Sequence, residues 1–296
     1  MLYKNILETI GKTPLVKINK LNINPNVNLY LKLEGQNPGG SVKDRAALYI
    51  LEQAEKNGRL TKDKTILEAT SGNMGIALAM IGAYKNYKVQ IVMSAKVSEE
   101  RKKMLRAFGA DLILTNSSLG TYGAITKAKK LVKDNPEKYW FVDQFNNPDN
   151  AEAHHQGIAK EILDEVKDIH TIVIASGTSG TLMGFVKRFK KSSPKTKIVG
   201  VFPQGNYQIQ GIQNPKEDFI GKIYHEKVVD EKVIVDIKDA FSIVKKIARI
   251  EGLFLGMSSG ASLFVANQIA KNIKQGNIVA ISPDRGERYL STDLYK

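Results

Sequence analysis

The stretch HTIVIASGTSGTLMGFVKRFKK, residues 170–191, carries three signals in one line. An apolar run ends at Ala175, a turn of Ser, Gly and Thr fills Ser176–Thr181, and a helical pattern with basic residues follows. An apolar run without polar alternation reads as a strand buried on both faces, which is how strands of parallel sheets read. Glycines before a helix let the backbone approach a ligand, and the helix start points N–H groups at an anion. At this point the turn has two readings: a phosphate cradle, or simply a tight strand-to-helix connection.

The same grammar recurs along the chain. Strands are expected over 27–33, 65–70, 88–94, 111–115, 170–175, 197–202 and 277–282. Helices are expected over 42–58, 75–86, 98–109, 123–134, near 151–165, and over 181–191, 239–252 and 261–272. Ser98 with Glu99 and Glu100 marks a helix start, and Gly58, Gly109 and Gly252 are candidate helix stops. This alternation predicts an α/β architecture with mostly parallel twisted sheets flanked by helices. Sites in such folds lie where strands hand over to helix N-termini. That rule selects EATSGNMG (68–75), ASGTSGTLMG (175–184), LGMSSGASL (255–263) and DQFNNPDN (143–150). No GxGxxG follows a strand and no Walker motif is present, so a dinucleotide fingerprint and a P-loop are not supported.

Composition narrows the partners. The 296 residues carry a net charge of +14, with 42% hydrophobic and 25% charged residues. The basic clusters KAKKLVKD (127–134) and VKRFKKSSPKTK (186–197) lack the interleaved aromatics of a single-strand binder. They read as solvated surface, so no nucleic-acid partner is expected, although the charge favours small anionic ligands. There is no cysteine, and the four histidines show no metal-binding helical pair, so no metal site is expected. No apolar run is long enough to span a bilayer and the N-terminus lacks a signal-peptide core. A cytoplasmic protein without membrane contact is the expectation.

Lys43 poses the chemical question. In NPGGSVKDRAALYI (37–50) it opens a helical pattern, where the dipole disfavours a cation. It is either an ordinary solvated lysine or an amine whose proton is made easier to lose by burial and by nearby positive dipole ends. The loop Thr70–Gly75 offers hydroxyl, amide and backbone donors suited to a carboxylate, or merely a helix cap. Ser258 and Ser259 read most simply as caps of a helix beginning near Ala261. A neutral amine, a phosphate cradle and a carboxylate cradle together point to pyridoxal 5′-phosphate, which carries both an aldehyde and a phosphate.

Six segments, in order, resemble those of the cysteine synthase family, fold type II of the pyridoxal phosphate enzymes. They are IGKTPLVKIN (10–19), NPGGSVKDRAA, EATSGNMGIALAM, GTSGT, GMSSGASL and GERYLST (286–292). The match runs from about residue 8 to 294. DQFNNPDN and the segment 211–231 are most similar to the O-acetylserine sulfhydrylase B branch. The resemblance implies a smaller, mobile domain over 35–145 that carries the carboxylate loop. A larger domain over 1–34 and 146–296 would carry the phosphate loop.

It also implies roles. Lys43 would hold the cofactor as a Schiff base and then act as general base. Asn73 would bond the cofactor's ring hydroxyl, and Ser258 would stand by its pyridine nitrogen. Gly177, Thr178, Ser179, Gly180 and Thr181 would hold the phosphate. Thr70, Ser71, Gly72, Asn73, Met74 and Gln144 would form the substrate site. The implied reaction is β-replacement, O-acetylserine with sulfide giving cysteine and acetate, and the implied partners are a second copy in a homodimer and a serine acetyltransferase tail.

Departures from the family pattern bear on substrate choice. Met74 replaces a usual threonine, Ser179 a phosphate-loop glycine, HHQGIAKEI (154–162) a segment close to HxTTTGPEI, and GIQNP lacks arginines frequent in the B branch. A second reading therefore has the same chemistry consume L-cysteine, releasing hydrogen sulfide and giving serine or lanthionine. Glu217 and Asp218 are its candidate water-activating carboxylates. A third reading, a silent binding protein on this fold, sits poorly with intact Lys43 and Asn73.

Overall fold

The computed structural model describes residues 2–205, 209–213 and 221–295. One sheet runs β1 (Leu15–Ile18), β2 (Val27–Leu33), β10 (Gly276–Ser282), β7 (Ile169–Ala175), β8 (Lys197–Pro203), β9 (Glu231–Val235). Only β1 is antiparallel to its neighbour. A second sheet, wholly parallel, runs β5 (Asp111–Thr115), β4 (Val89–Ser94), β3 (Thr65–Ala69), β6 (Tyr139–Phe141). Glu217 and Asp218 lie outside the described residues.

The six-stranded sheet is covered on both faces, as its continuous apolar strands require. Val173, Ile278 and Ala280 pack with helices α8 (Ile237–Glu251) and α9 (Met257–Asn272). Their neighbours Ile172, Ile174, Val279 and Ile281 pack instead with α6 (Ile158–Glu165) and α7 (Gly180–Ser192). Alternate side chains of one strand thus feed two cores. Helix α8 buries Ala240, Ile243, Val244 and Ile247, the spacing of one helical stripe. On the far core Phe185 and Phe189 stack with centroids 5.7 Å apart.

The four-stranded sheet has its own core, shared with α1 (Lys43–Lys56) and α2 (Asn73–Lys85). Every residue of α2 from Met74 to Gly82 is buried, as its all-round apolar sequence requires. Helices α3 (Glu99–Ala107) and α4 (Gly120–Asp134) complete this half, and α5 (Asp149–Gln156) follows it.

The structure departs from the sequence expectations in three places. Strands β1, β6 and β9 were not expected; all three are sheet edges. The helix expected near 151–165 is broken at Gly157, where a Cβ would meet the Ala153 carbonyl at 2.9 Å and the Arg45 guanidinium at 3.3 Å. Helix α9 begins at Met257 rather than near Ala261. Ser258 and Ser259 therefore lie inside its first turn and do not cap it.

Candidate active site

A cavity of about 1190 Å³ opens where β3 and β7 end, with Ala69 and Ala175 in its wall. It is lined by Lys43, the Thr70–Met74 loop, Gln144, Gly177–Ser179, Thr181 and Ser258. Among the described residues, every one given a cofactor or substrate role from the sequence reaches this wall except Gly180, which packs behind it. A Cβ on Gly180 would fall 2.2 Å from Asn150 Oδ1, so only glycine fits there.

Lys43 is the first residue of α1. Its Nζ donates to Thr178 Oγ1 at 3.3 Å, which joins helix α1 to the turn after β7. Protein packed around the amine lowers its pKa to about 8, against an opposing attraction from Glu68. Thr178 and Thr181 hydroxyls flank the start of α7, whose first N–H groups have no partner within the helix. Ser179 stands at φ +67°, in the left-handed region where glycine carries no steric cost. Its hydroxyl is 3.0 Å from that of Ser176, a local bond that compensates for the serine in this place.

The Thr70–Met74 loop is anchored from several sides. Thr70 Oγ1 accepts from the Gly72 N–H at 3.2 Å. Arg101 donates to the Ser71 carbonyl at 2.9 Å and to Gln210 Oε1 at 2.8 Å, bridging the loop to the opposite wall. Asn73 Nδ2 donates to Asp284 Oδ2 at 2.7 Å, and Arg288 donates to Asn73 Oδ1 and to the Gly39 carbonyl. Arg288 belongs to the GERYLST segment, so that segment ties the lysine loop to the carboxylate loop. Met74 is 1% exposed and packs in the smaller core, so little more than its backbone end faces a ligand.

Beneath the loop lies Glu68, fully buried, a residue the sequence reading passed over. The Ala69 N–H donates to its Oε1 at 2.8 Å and the Gln144 N–H to its Oε2 at 3.2 Å. Burial pushes its pKa up to about 8 in spite of these donors. Asp284, Arg288, Asn150 and His154 were also missed as site residues; the first two flank or sit in a quoted motif, and the last two are one helical turn apart on α5.

The donor set suits a ligand carrying a phosphate and an aldehyde. A poised amine, two hydroxyls at a helix start and a neutral Ser258 converge on one cavity. The pyridoxal-phosphate dependent enzyme family matches residues 6–284. The chain belongs to this family. This pyridoxal-phosphate dependent enzyme is 41% identical to the cysteine synthase of Aquifex aeolicus, over 99% of this chain and 92% of that one. The crystal structure of a cysteine synthase from Entamoeba histolytica superposes with a TM-score of 0.95 at 41% identity, covering 100% of this chain and 91% of that one. A hydrogen sulfide-producing enzyme from Fusobacterium nucleatum superposes with a TM-score of 0.91 at 39% identity, covering 98% and 100%.

The Lys43 amine gives a pH test. Its neutral fraction rises as pH climbs through about 8. Enzyme stripped of cofactor should regain visible absorbance on adding pyridoxal phosphate at a rate rising roughly tenfold per unit below that value and levelling above it. Glu68→Gln removes an attraction for the ammonium and should move the midpoint down. A rate independent of pH, or a midpoint that rises in the variant, would contradict the assignment.

Proposed function

We propose that this enzyme catalyses β-replacement on an activated serine, O-acetylserine with sulfide giving cysteine and acetate. The observation that carries the reading is the meeting of the Lys43 amine, the 177–181 turn and the 70–74 loop in one cavity. Gly177–Thr181 would hold the cofactor phosphate, Lys43 the aldehyde carbon, Asn73 the ring oxygen, and Ser258 the ring nitrogen. When bound, pyridoxal phosphate supplies an electron-withdrawing ring that takes up charge as an α-proton is lost.

The chain's own residues then divide the work. Thr70, Ser71, Gly72, Asn73 and Gln144 grip the substrate carboxylate and aim its α-proton at Lys43 Nζ. Lys43 Nζ would take that proton and later return it. A serine at Ser258 cannot keep the ring nitrogen protonated as a carboxylate would. The weaker electron sink favours loss of the β-substituent over transamination. The smaller domain, proposed to span 35–145, closes over the cavity when a carboxylate fills the 70–74 loop.

The wall of the cavity supports an anionic nucleophile. Among the described residues Lys43, Lys96, Arg101 and Arg288 line it and no carboxylate does. Such a wall draws in hydrosulfide. The protein is further proposed to be a cytoplasmic homodimer able to bind a serine acetyltransferase tail; no helix among the described residues is long and apolar enough to cross a membrane.

Product analysis by mass spectrometry tests the reading on two mixtures. O-acetylserine with sulfide should give cysteine rapidly, while L-cysteine alone should turn over slowly. Hydrogen sulfide with serine or lanthionine from the second mixture would instead make this a cysteine-consuming enzyme.

A further inference from the structure

Helix α5 lies directly behind the Gly177–Thr181 turn. It presents Asn150 and His154, four residues apart and so on one face, to the two threonines of that turn. Both side chains are fully buried. Neither has a role in the chemistry described above.

Asn150 Nδ2 donates to the Gln144 carbonyl at 2.7 Å and to Thr178 Oγ1 at 3.1 Å. A carbonyl only accepts, so the nitrogen of this amide must face it, and the orientation of the amide is fixed. Lys43 Nζ is the second donor to Thr178 Oγ1. A hydroxyl oxygen has two lone pairs. Asn150 keeps one of them occupied even when Lys43 Nζ is engaged by the cofactor, so in either state the hydrogen of Thr178 points away from the amide, and the open side is the cavity.

His154 Nε2 stands 3.3 Å from Thr181 Oγ1, and its Nδ1 is buried with no partner. Burial, with Lys43 and Arg45 nearby, holds the imidazole neutral. A hydrogen on Nδ1 would be an orphaned buried donor, and Nε2 would then capture the Thr181 hydrogen. A hydrogen on Nε2 leaves only a lone pair unpaired, facing a field made positive by the same two cations. It also donates to Thr181 Oγ1 and frees that hydroxyl to donate in turn.

We propose that Asn150 and His154 are positioning residues that turn the hydroxyl hydrogens of Thr178 and Thr181 toward the cofactor phosphate, and so set the preference for phosphorylated over unphosphorylated cofactor. The inference rests on the reading of Gly177–Thr181 as the phosphate turn. It can fail separately from that reading.

The test compares dissociation constants of pyridoxal 5′-phosphate and pyridoxal on cofactor-stripped enzyme in phosphate-free buffer. His154→Leu should weaken pyridoxal 5′-phosphate by roughly tenfold or more, the worth of one hydrogen bond to a charged group, and leave pyridoxal unchanged. His154→Gln, which places an amide N–H near the Nε2 position, should restore the ratio. His154→Asn, whose shorter amide falls near Nδ1, should not. Equal weakening of both ligands would reduce His154 to a packing residue and overturn the proposal. Nitrogen-15 NMR of the unaltered holoenzyme provides a check that no variant's folding affects: the His154 ring should carry its hydrogen on Nε2, and a hydrogen on Nδ1 would overturn the proposal. If the unaltered protein shows no preference between the two ligands, the phosphate-turn reading itself falls.

Discussion

Replacing Lys43 by alanine should leave the protein folded and cofactor-binding but lower its turnover by roughly 10²–10⁴-fold from the lost proton transfer alone. The structural cost is small for identifiable reasons. The face of α1 that packs into the core is Ala46, Ala47, Ile50, Leu51 and Ala54, and Lys43 is not part of it. Its amine makes one long hydrogen bond, to Thr178. Its charge at the first helical position works against the dipole, so removal relieves a mild repulsion. Circular dichroism and the urea midpoint should therefore barely move. The turn at Gly177–Thr181 is intact in the variant and should still hold pyridoxal phosphate, now without a covalent link, so the visible spectrum should change to that of the unlinked aldehyde. A small added amine should return part of the activity, because it can carry the α-proton in place of the missing side chain. An unchanged spectrum with unchanged turnover would remove Lys43 from the chemistry altogether.

What could be read from the sequence divides along a physical line. The central strands of both sheets were legible because burial on both faces demands uninterrupted apolar residues, and the run ending at Ala175 has no other comfortable reading. The edges were not. Tyr139–Phe141 has three residues, Leu15–Ile18 has four, and Glu231–Val235 is exposed at Glu231, Lys232 and Ile234 and fully buried only at Val235. A strand paired on one side only needs neither length nor continuous apolarity. The residues that touch a ligand announced themselves by glycine, serine and threonine clustered at strand ends. The residues that hold those in place did not. Glu68 looks like one more strand residue, and Asn150 with His154 looks like a polar helix face, until the turn after β7 is seen lying on them.

The charges that seat α1 were the least legible of all, and removing one should have the largest effect on stability. Arg45→Met should destabilise the fold by about 3–5 kcal/mol, the usual consequence of leaving a buried charge without its partner. Arg45 bonds Glu34 at 2.6 and 2.9 Å, Glu161 at 2.6 and 2.8 Å, and Thr13 at 3.3 Å. Lys32, also fully buried, reaches Glu161 at 3.0 Å and the Thr13 carbonyl at 2.7 Å. The network thus joins α1 to β2, to α6 and to the segment before β1. Without the guanidinium, Glu161 keeps Lys32, but Glu34, with no exposed surface, keeps only the neutral donors Thr13 and Asn37. That asymmetry makes a prediction about coupling. Adding Glu34→Gln to Arg45→Met should recover a substantial part of the loss, because the stranded charge is gone and only packing and hydrogen bonds remain to be repaired. Burial works to raise the Glu161 pKa, but its bonds to Arg45 outweigh burial and hold it at about 2. A carboxyl held below its unfolded value stabilises the fold above the ordinary glutamate range, and this stabilisation fades as pH falls through the depressed value. The unaltered protein should therefore lose stability between roughly pH 5 and 2, and Arg45→Met should show a shallower slope there. Urea midpoints measured across that range check both statements. Because α1 begins two residues before Arg45, the same variant should also loosen Lys43. If the single variant loses less than about 1 kcal/mol, the network is not what seats α1, and the apolar contacts of Ala46, Ile50 and Ala54 must suffice to place the amine.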